Sequence, residues 1–219
     1  MKVGLVYTST TPRLIELVEK EVREKLKGDV ILTSYQDPSI LSDIREAGSV
    51  TKRAALKLTA LYRKAAEEDV DAVLNICSSV GLAADAAKPW MEFIKVPLIR
   101  IDDKMCEEAV KAGNRIGVMA TLKTTLEPTK QTLIQAGKRM EKPIVLQDGL
   151  IDGAFDLSEE EFRQVLIKKA EELSSEVDVI VLAQGSMAFC EKAVQKGCKK
   201  PVFSSPAYGA MDLQEVLNR

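Results

Sequence analysis

Histidine is missing altogether from these 219 residues. That removes the usual general base of neutral-pH chemistry and the commonest metal ligand together. Proton transfer must therefore fall to Cys, Asp, Glu, Lys or Tyr. Cysteine is scarce: the four, Cys77, Cys106, Cys190 and Cys198, show no Cys-x-x-Cys spacing. A chain of this length buries a sizeable core without disulfides, so they are expected to be free thiols. An excess of one charge is also lacking, since 31 Lys and Arg face 33 Asp and Glu for a formal net charge of −2, with no long run of one sign. Nucleic acid and membrane are thus not expected partners. No segment reaches about 18 unbroken apolar residues, and the apolar run after Met1-Lys2 is too brief for a signal sequence, so a cytoplasmic protein is expected.

What is present is an alternation of short apolar runs with amphipathic stretches. Val3 to Tyr7 reads as a buried strand, and Pro12 to Leu26 places Leu14, Ile15, Leu17, Val18, Val22 and Leu26 near helical spacing. Val30 to Ser34 reads as a strand, Ile40 to Glu68 as one long helical stretch, and Asp71 to Ile76 as a strand. Leu82 to Ile94 then reads as a helix interrupted at Pro89, and Pro97 to Ile101 as a fourth strand. Strands without polar alternation, separated by helices, predict an α/β protein with short, mainly parallel sheets flanked by helices.

The order recurs in the second half: strands at Arg115 to Met119, Ile144 to Gln147, Val179 to Ala183 and Pro201 to Ser204, and a helix from Ser158 to Ser175. Val70 to Ser79 aligns with Val177 to Ser186, while Thr8 and Thr11 fall opposite Thr121 and Thr124. This internal similarity predicts two pseudosymmetric lobes. Residues 1–101 with 206–219 would form the N-terminal lobe and residues 102–205 the C-terminal lobe. The stretch Asp102 to Ala112 is expected to link them as a helix, and Asp212 to Arg219 to form a helix covering one lobe.

Ligands of open parallel sheets bind beyond the carboxyl ends of the strands. That rule selects Thr8-Ser9-Thr10-Thr11, Cys77-Ser78-Ser79, Thr121 to Thr125, and Gln184-Gly185-Ser186-Met187. All are rich in polar groups and precede helices, a setting that favours a small carboxylate. Cys77 ends a strand just before a helix, where a thiol pKa is expected to fall below about 8.5. Thr124 and Thr125 are candidates for ligand contact, whereas Ser9, Thr10 and Ser79 need do no more than cap helices. Asn75 either orients Cys77 or satisfies a strand end. Tyr7 reads as a packed aromatic, Cys106 as a core residue beside Met105 and Ala109, and Cys190 and Cys198 as structural or incidental.

The segments Val3-Gly4-Leu5-Val6-Tyr7-Thr8, Asn75 to Gly81, Arg100 to Met105, Ile116 to Thr121 with Thr124-Thr125-Leu126 and Pro128, and Val181 to Met187 together resemble the aspartate/glutamate racemase superfamily, in the branch containing hydantoin racemases. The resemblance covers nearly the whole chain. It implies two α/β lobes with the substrate in the cleft between them, a homodimer, and no metal or cofactor. It also implies two cysteines, one from each lobe, that remove and return a proton on opposite faces of the substrate's α-carbon, while amides and hydroxyls hold the carboxylate.

Cys77 occupies the first of those cysteine positions, and Gln184 stands at the second. A primary amide hydrogen-bonds a carboxylate or enediolate but does not relay a proton near neutral pH. The expectation is therefore a cofactor-independent racemase or isomerase acting at a carbon α to a carboxylate. Cys77 and Gln184 would be catalytic, with Thr8, Thr11, Asn75, Ser78, Ser79, Thr121, Thr124, Thr125, Gly185 and Ser186 binding substrate. A one-thiol decarboxylase or lyase, or a non-catalytic carboxylate sensor, is the alternative.

Overall fold

The computed structural model describes residues 1–154 and 157–218. The chain divides into two compact units, Met1–Asp103 with Pro206–Arg219, and Lys104–Ser205.

The first unit is built on four parallel strands, β1 (Lys2–Tyr7), β2 (Ile31–Gln36), β3 (Ala72–Asn75) and β4 (Leu98–Arg100), in the order β2-β1-β3-β4. Successive side chains of a strand point to opposite faces, and here both faces are buried. Val3, Leu5, Tyr7, Ala72, Leu74, Ile99 and Ile101 meet Leu14, Val18 and Val22 of helix α1 (Pro12–Leu26) on one side, and Ala210 and Leu213 on the same side. Val6, Val73 and Leu98 face the other way. They pack against α2 (Pro38–Ala47), α3 (Lys52–Glu67) and α4 (Gly81–Phe93) through Ile40, Ile44, Leu58, Tyr62, Ala84 and Met91. Gly4 lets α3 come close: a methyl built there would lie 3.2 Å from Ala65 Cβ.

Two helical expectations are corrected. The stretch 40–68 is two helices, because Gly48 adopts a left-handed conformation (φ 72°) that ends α2, and Thr51 caps α3 through Ala54 N–H. Pro89 does not interrupt α4, which runs through it from Gly81 to Phe93.

The second unit repeats the plan. Strands β5 (Arg115–Ala120), β6 (Val145–Leu150), β7 (Val179–Leu182) and β8 (Val202–Ser204) lie parallel in the order β6-β5-β7-β8. Met119, Ile180, Leu182 and Val202 pack with Phe162, Leu166, Ala170 and Leu173 of α7 (Glu159–Leu173), and with Val194 and Cys198 of α8 (Glu191–Cys198). Helices α5 (Asp103–Ala112) and α6 (Lys123–Arg139) complete this half, and α9 (Ser205–Leu217) closes the chain. The expected C-terminal helix thus begins seven residues early, and Arg219 lies outside the described residues.

Backbone contacts reproduce the repeat atom for atom. Asp71 N–H donates to Lys2 O at 2.7 Å, and Asp178 N–H to Arg115 O at 2.7 Å. Ile76 N–H donates to Val6 O at 2.8 Å, and Ala183 N–H to Met119 O at 2.9 Å. Among the described residues no helix is long and apolar enough to cross a membrane.

Candidate active site

In the first unit the carboxyl ends of β1 and β3 bring Thr8 and Cys77 side by side. Cys77 is partly exposed and Thr8 is buried. Cys77 has extended backbone (φ −156°, ψ 111°) and leads into a single 3-10 turn, Ser78–Val80, that runs directly into α4. The Val80 N–H closes the turn onto Cys77 O at 3.4 Å, and the Thr8 hydroxyl after β1, with the Ser79 and Val80 N–H groups and the Ser79 hydroxyl of the turn, favours the thiolate. The Thr8 hydroxyl finds no hydrogen-bond partner among the neutral groups around it. Its one evident use is the ionised form of Cys77.

Although part of the Cys77 residue reaches solvent, protein crowds the thiol group, and the loss of water there outweighs those donors. Desolvation penalises the thiolate and pushes the Cys77 thiol above its ordinary value of 9.0, against the pull of the four hydrogen bonds. The expectation of a lowered pKa is therefore corrected. A strand-to-helix setting supplies donors, but it also removes water, and here the second effect is larger. At neutral pH the resting group is the thiol.

Asn75, fully buried, supports this loop from behind. Its Oδ1 accepts from Tyr62 Oη at 2.8 Å and its Nδ2 donates to Cys77 O at 3.1 Å. It fixes the backbone of the cysteine. Tyr62, kept neutral because burial raises its pKa, is the supporting residue that sequence reasoning missed. Its place on the inner face of α3 marks it only as core.

Thr11 is placed as the N-cap of α1, accepting from Leu14 N–H at 3.2 Å, and Thr10 donates to Gln36 at 3.2 Å. Ser78 and Ser79 are buried within the turn.

In the second unit β5 and β7 bring Thr121 and Gln184 together in the same relation. Thr121 N–H and its hydroxyl both donate to Gln184 Oε1, at 2.7 and 3.0 Å. With the oxygen thus engaged, the amide's orientation is fixed and its NH2 group is the face left to offer. Gly185 and Ser186 begin a 3-10 stretch, Gly185–Cys190, and are half-buried. Thr124 and Thr125 lie inside the first turn of α6 rather than in a loop, Thr125 buried and Thr124 half-buried. Cys106, Cys190 and Cys198 are buried. Among the described residues no group of three His, Cys, Asp or Glu is arranged to hold a metal.

The profile of the Asp/Glu/Hydantoin racemase family matches residues 3–213 of the chain. Among solved structures, allantoin racemase from Klebsiella pneumoniae aligns over 100% of this chain and 87% of its own, with 16% identity and a TM-score of 0.67. The aspartate racemase of Picrophilus torridus aligns over 99% and 94%, with 13% identity and a TM-score of 0.68. Glutamate racemase from Francisella tularensis subsp. tularensis, solved with D-glutamate, aligns over 99% and 81%, with 14% identity and a TM-score of 0.66. At these identities the likeness is one of fold. No curated protein sequence is similar enough to count as a match.

Proposed function

We propose, from the premise that this chain belongs to the Asp/Glu/hydantoin racemase family, that it is an isomerase-type enzyme acting at a carbon α to a carboxylate, with Cys77 as its thiol acid or base. The observation that carries this reading is the place of Cys77: just past the carboxyl end of a parallel strand, at the entry to the turn that opens α4, beside the buried Thr8 hydroxyl, which has no hydrogen-bond partner. Four donors lower the cost of a thiolate that forms during a reaction, and burial keeps the thiol protonated beforehand.

Gln184 supplies the complementary function. Its NH2, oriented by Thr121, is a donor suited to a carboxylate or enediolate oxygen. It returns no proton. In proton exchange, the Cys77 thiol first gives its proton to water; the thiolate then takes the α-hydrogen, the electron pair passes into the enediolate, and the sulfur, its proton exchanged with solvent, returns one to the same face.

One observation favours a decarboxylase as the second reading. A resting thiol is already the acid that a decarboxylation needs. The C–C bond breaks, its electrons form the enediolate, CO2 leaves, and Cys77 gives its proton to the α-carbon; water then reprotonates the sulfur.

The test is incubation in D2O with a panel of amino acids, 2-substituted malonates, hydantoins and unsaturated diacids, followed by NMR, with Cys77→Ala as control. Exchange or loss of CO2 only when Cys77 is present supports the proposal, and the product identifies the reaction; inversion that depends on Cys77 supports the thiol as the reactive group but not a proton returned to the same face. Ligand binding without change in any compound makes the chain a carboxylate sensor and overturns it.

A further inference from the structure

Arg100 closes β4 with its side chain 1% exposed. A buried guanidinium is costly unless paired and hydrogen-bonded. Its Nε and Nη2 reach the two oxygens of Asp102, equally buried, at 3.1 and 3.0 Å. Nη1 meets Asp85 at 2.6 Å, and Nε lies 3.5 Å from Asp103. Lys88 joins Asp85 at 2.9 Å to Asp103 at 2.6 Å. Burial works against the Arg100 charge, but Asp102, Asp103 and Asp85 outweigh it and raise the pKa, so the group is a permanent cation.

Asp85 and Lys88 belong to the first turns of α4, Arg100 and Asp102 to the end of β4 and its turn, and Asp103 to the start of α5. The network therefore pins the beginning of α4 to the end of the sheet. It does so directly beneath the thiol loop. A methyl built on Gly81 would stand 2.6 Å from Arg100 Cζ and 3.0 Å from Nε, far inside van der Waals contact. Gly81 is the first residue of α4, follows Cys77-Ser78-Ser79-Val80 without a break, and donates its N–H to Ser78 O.

Apolar residues of similar volume would often stabilise such a place as well or better. What a fork clamped by two carboxylates adds is direction. We infer that Arg100 is a positioning residue: held by Asp102 and Asp85 and closed against Gly81, its guanidinium sets where the 77–81 turn stands, and with it the surroundings of the Cys77 sulfur. This rests on the reading of Cys77 as the reactive group, but its test needs no substrate.

The test is the pH dependence of Cys77 alkylation by iodoacetamide in the full chain, followed by mass spectrometry, for wild type, Gly81→Ala, Arg100→Lys and the double variant. Gly81→Ala pushes turn and guanidinium apart, so the midpoint should move up by about one pH unit, roughly tenfold slower labelling at a fixed pH below it. In the Arg100→Lys background, where an unbranched chain leaves room for the methyl, the same substitution should shift it much less. Asp85→Asn, which leaves Asp102 in place, should shift the midpoint in the same direction by a smaller amount and serves if Gly81→Ala fails to fold. A structural role alone would lower Tm and leave every midpoint at the wild-type value, and that result overturns the inference. Shifted midpoints with no turnover on any carboxylate would sink the proposed function and leave the role of Arg100 standing.

Discussion

Thr8 and Thr121 hold equivalent places in the two units, and what each hydroxyl meets separates their chemistry. Thr8 serves a group that can lose a proton, whereas Thr121 orients an amide that cannot. Thr8→Val keeps the shape and removes the donor. Because that hydroxyl has no other partner, we expect folding stability within about 1 kcal/mol of wild type, with the Cys77 alkylation midpoint moved up. Equilibrium unfolding and labelling read the two effects separately. Asn75→Ala should do the opposite, costing about 2–3 kcal/mol in urea unfolding by stranding the buried Tyr62 hydroxyl and leaving Cys77 O with the longer bond from Val80 N–H. The pH profile assigns the role of the thiol. If Cys77 acts as an acid, the required form persists below its raised pKa, so turnover should be level through neutral pH and fall only above 9.0. If it acts as a base, turnover rises with pH over the same range.

At the scale of elements, the start of each sheet is fastened by an aspartate. Asp71 accepts from Lys2 N–H at 2.7 Å, while Asp178 accepts from Asn114 and Arg115 N–H and from the Arg115 guanidinium. The side-chain and backbone hydrogen bonds of Arg115 hold Asp178 down at about 2, from an ordinary 3.8. A lowered folded pKa means stability that is present above 3.8 and lost as pH falls through about 2. Asp178→Asn should therefore flatten the acid limb of an unfolding-versus-pH curve in that window. The elements themselves are largely legible from apolar spacing, as in α1, where Thr11, Pro12 and the Leu14-Val18-Val22 stripe mark start and face. Two boundaries are not. Periodicity runs through Gly48 because α2 and α3 bury the same face of the sheet, and only the left-handed turn at that glycine separates them. A proline in a helix sequence reads as a break, yet α4 carries Pro89 without one.

At the scale of the whole molecule, the repeated topology makes position comparable between units, and the repeat in the amino-acid sequence by itself sets Gln184 against Cys77. An offset of 107 relates both this pair and the turns that follow, Val80 N–H to Cys77 O and Met187 N–H to Gln184 O. Which residues end strands is written in the sequence. The net direction of the Cys77 pKa is not, because it is a balance between donors and lost water that depends on how deeply the loop sits. The support from Tyr62 and Arg100 is equally hidden, since contacts between α3, β4 and the thiol loop leave no spacing pattern.

The central claim is one thiol working from one face, and the direct measurement is configuration against exchange. An enantiopure substrate found in the panel is incubated in D2O, and α-deuterium by NMR is compared with inversion by chiral chromatography in the same sample. Deuterium is predicted to enter with retained configuration, and not at all with Cys77→Ala. Inversion by the wild type as fast as exchange would contradict it.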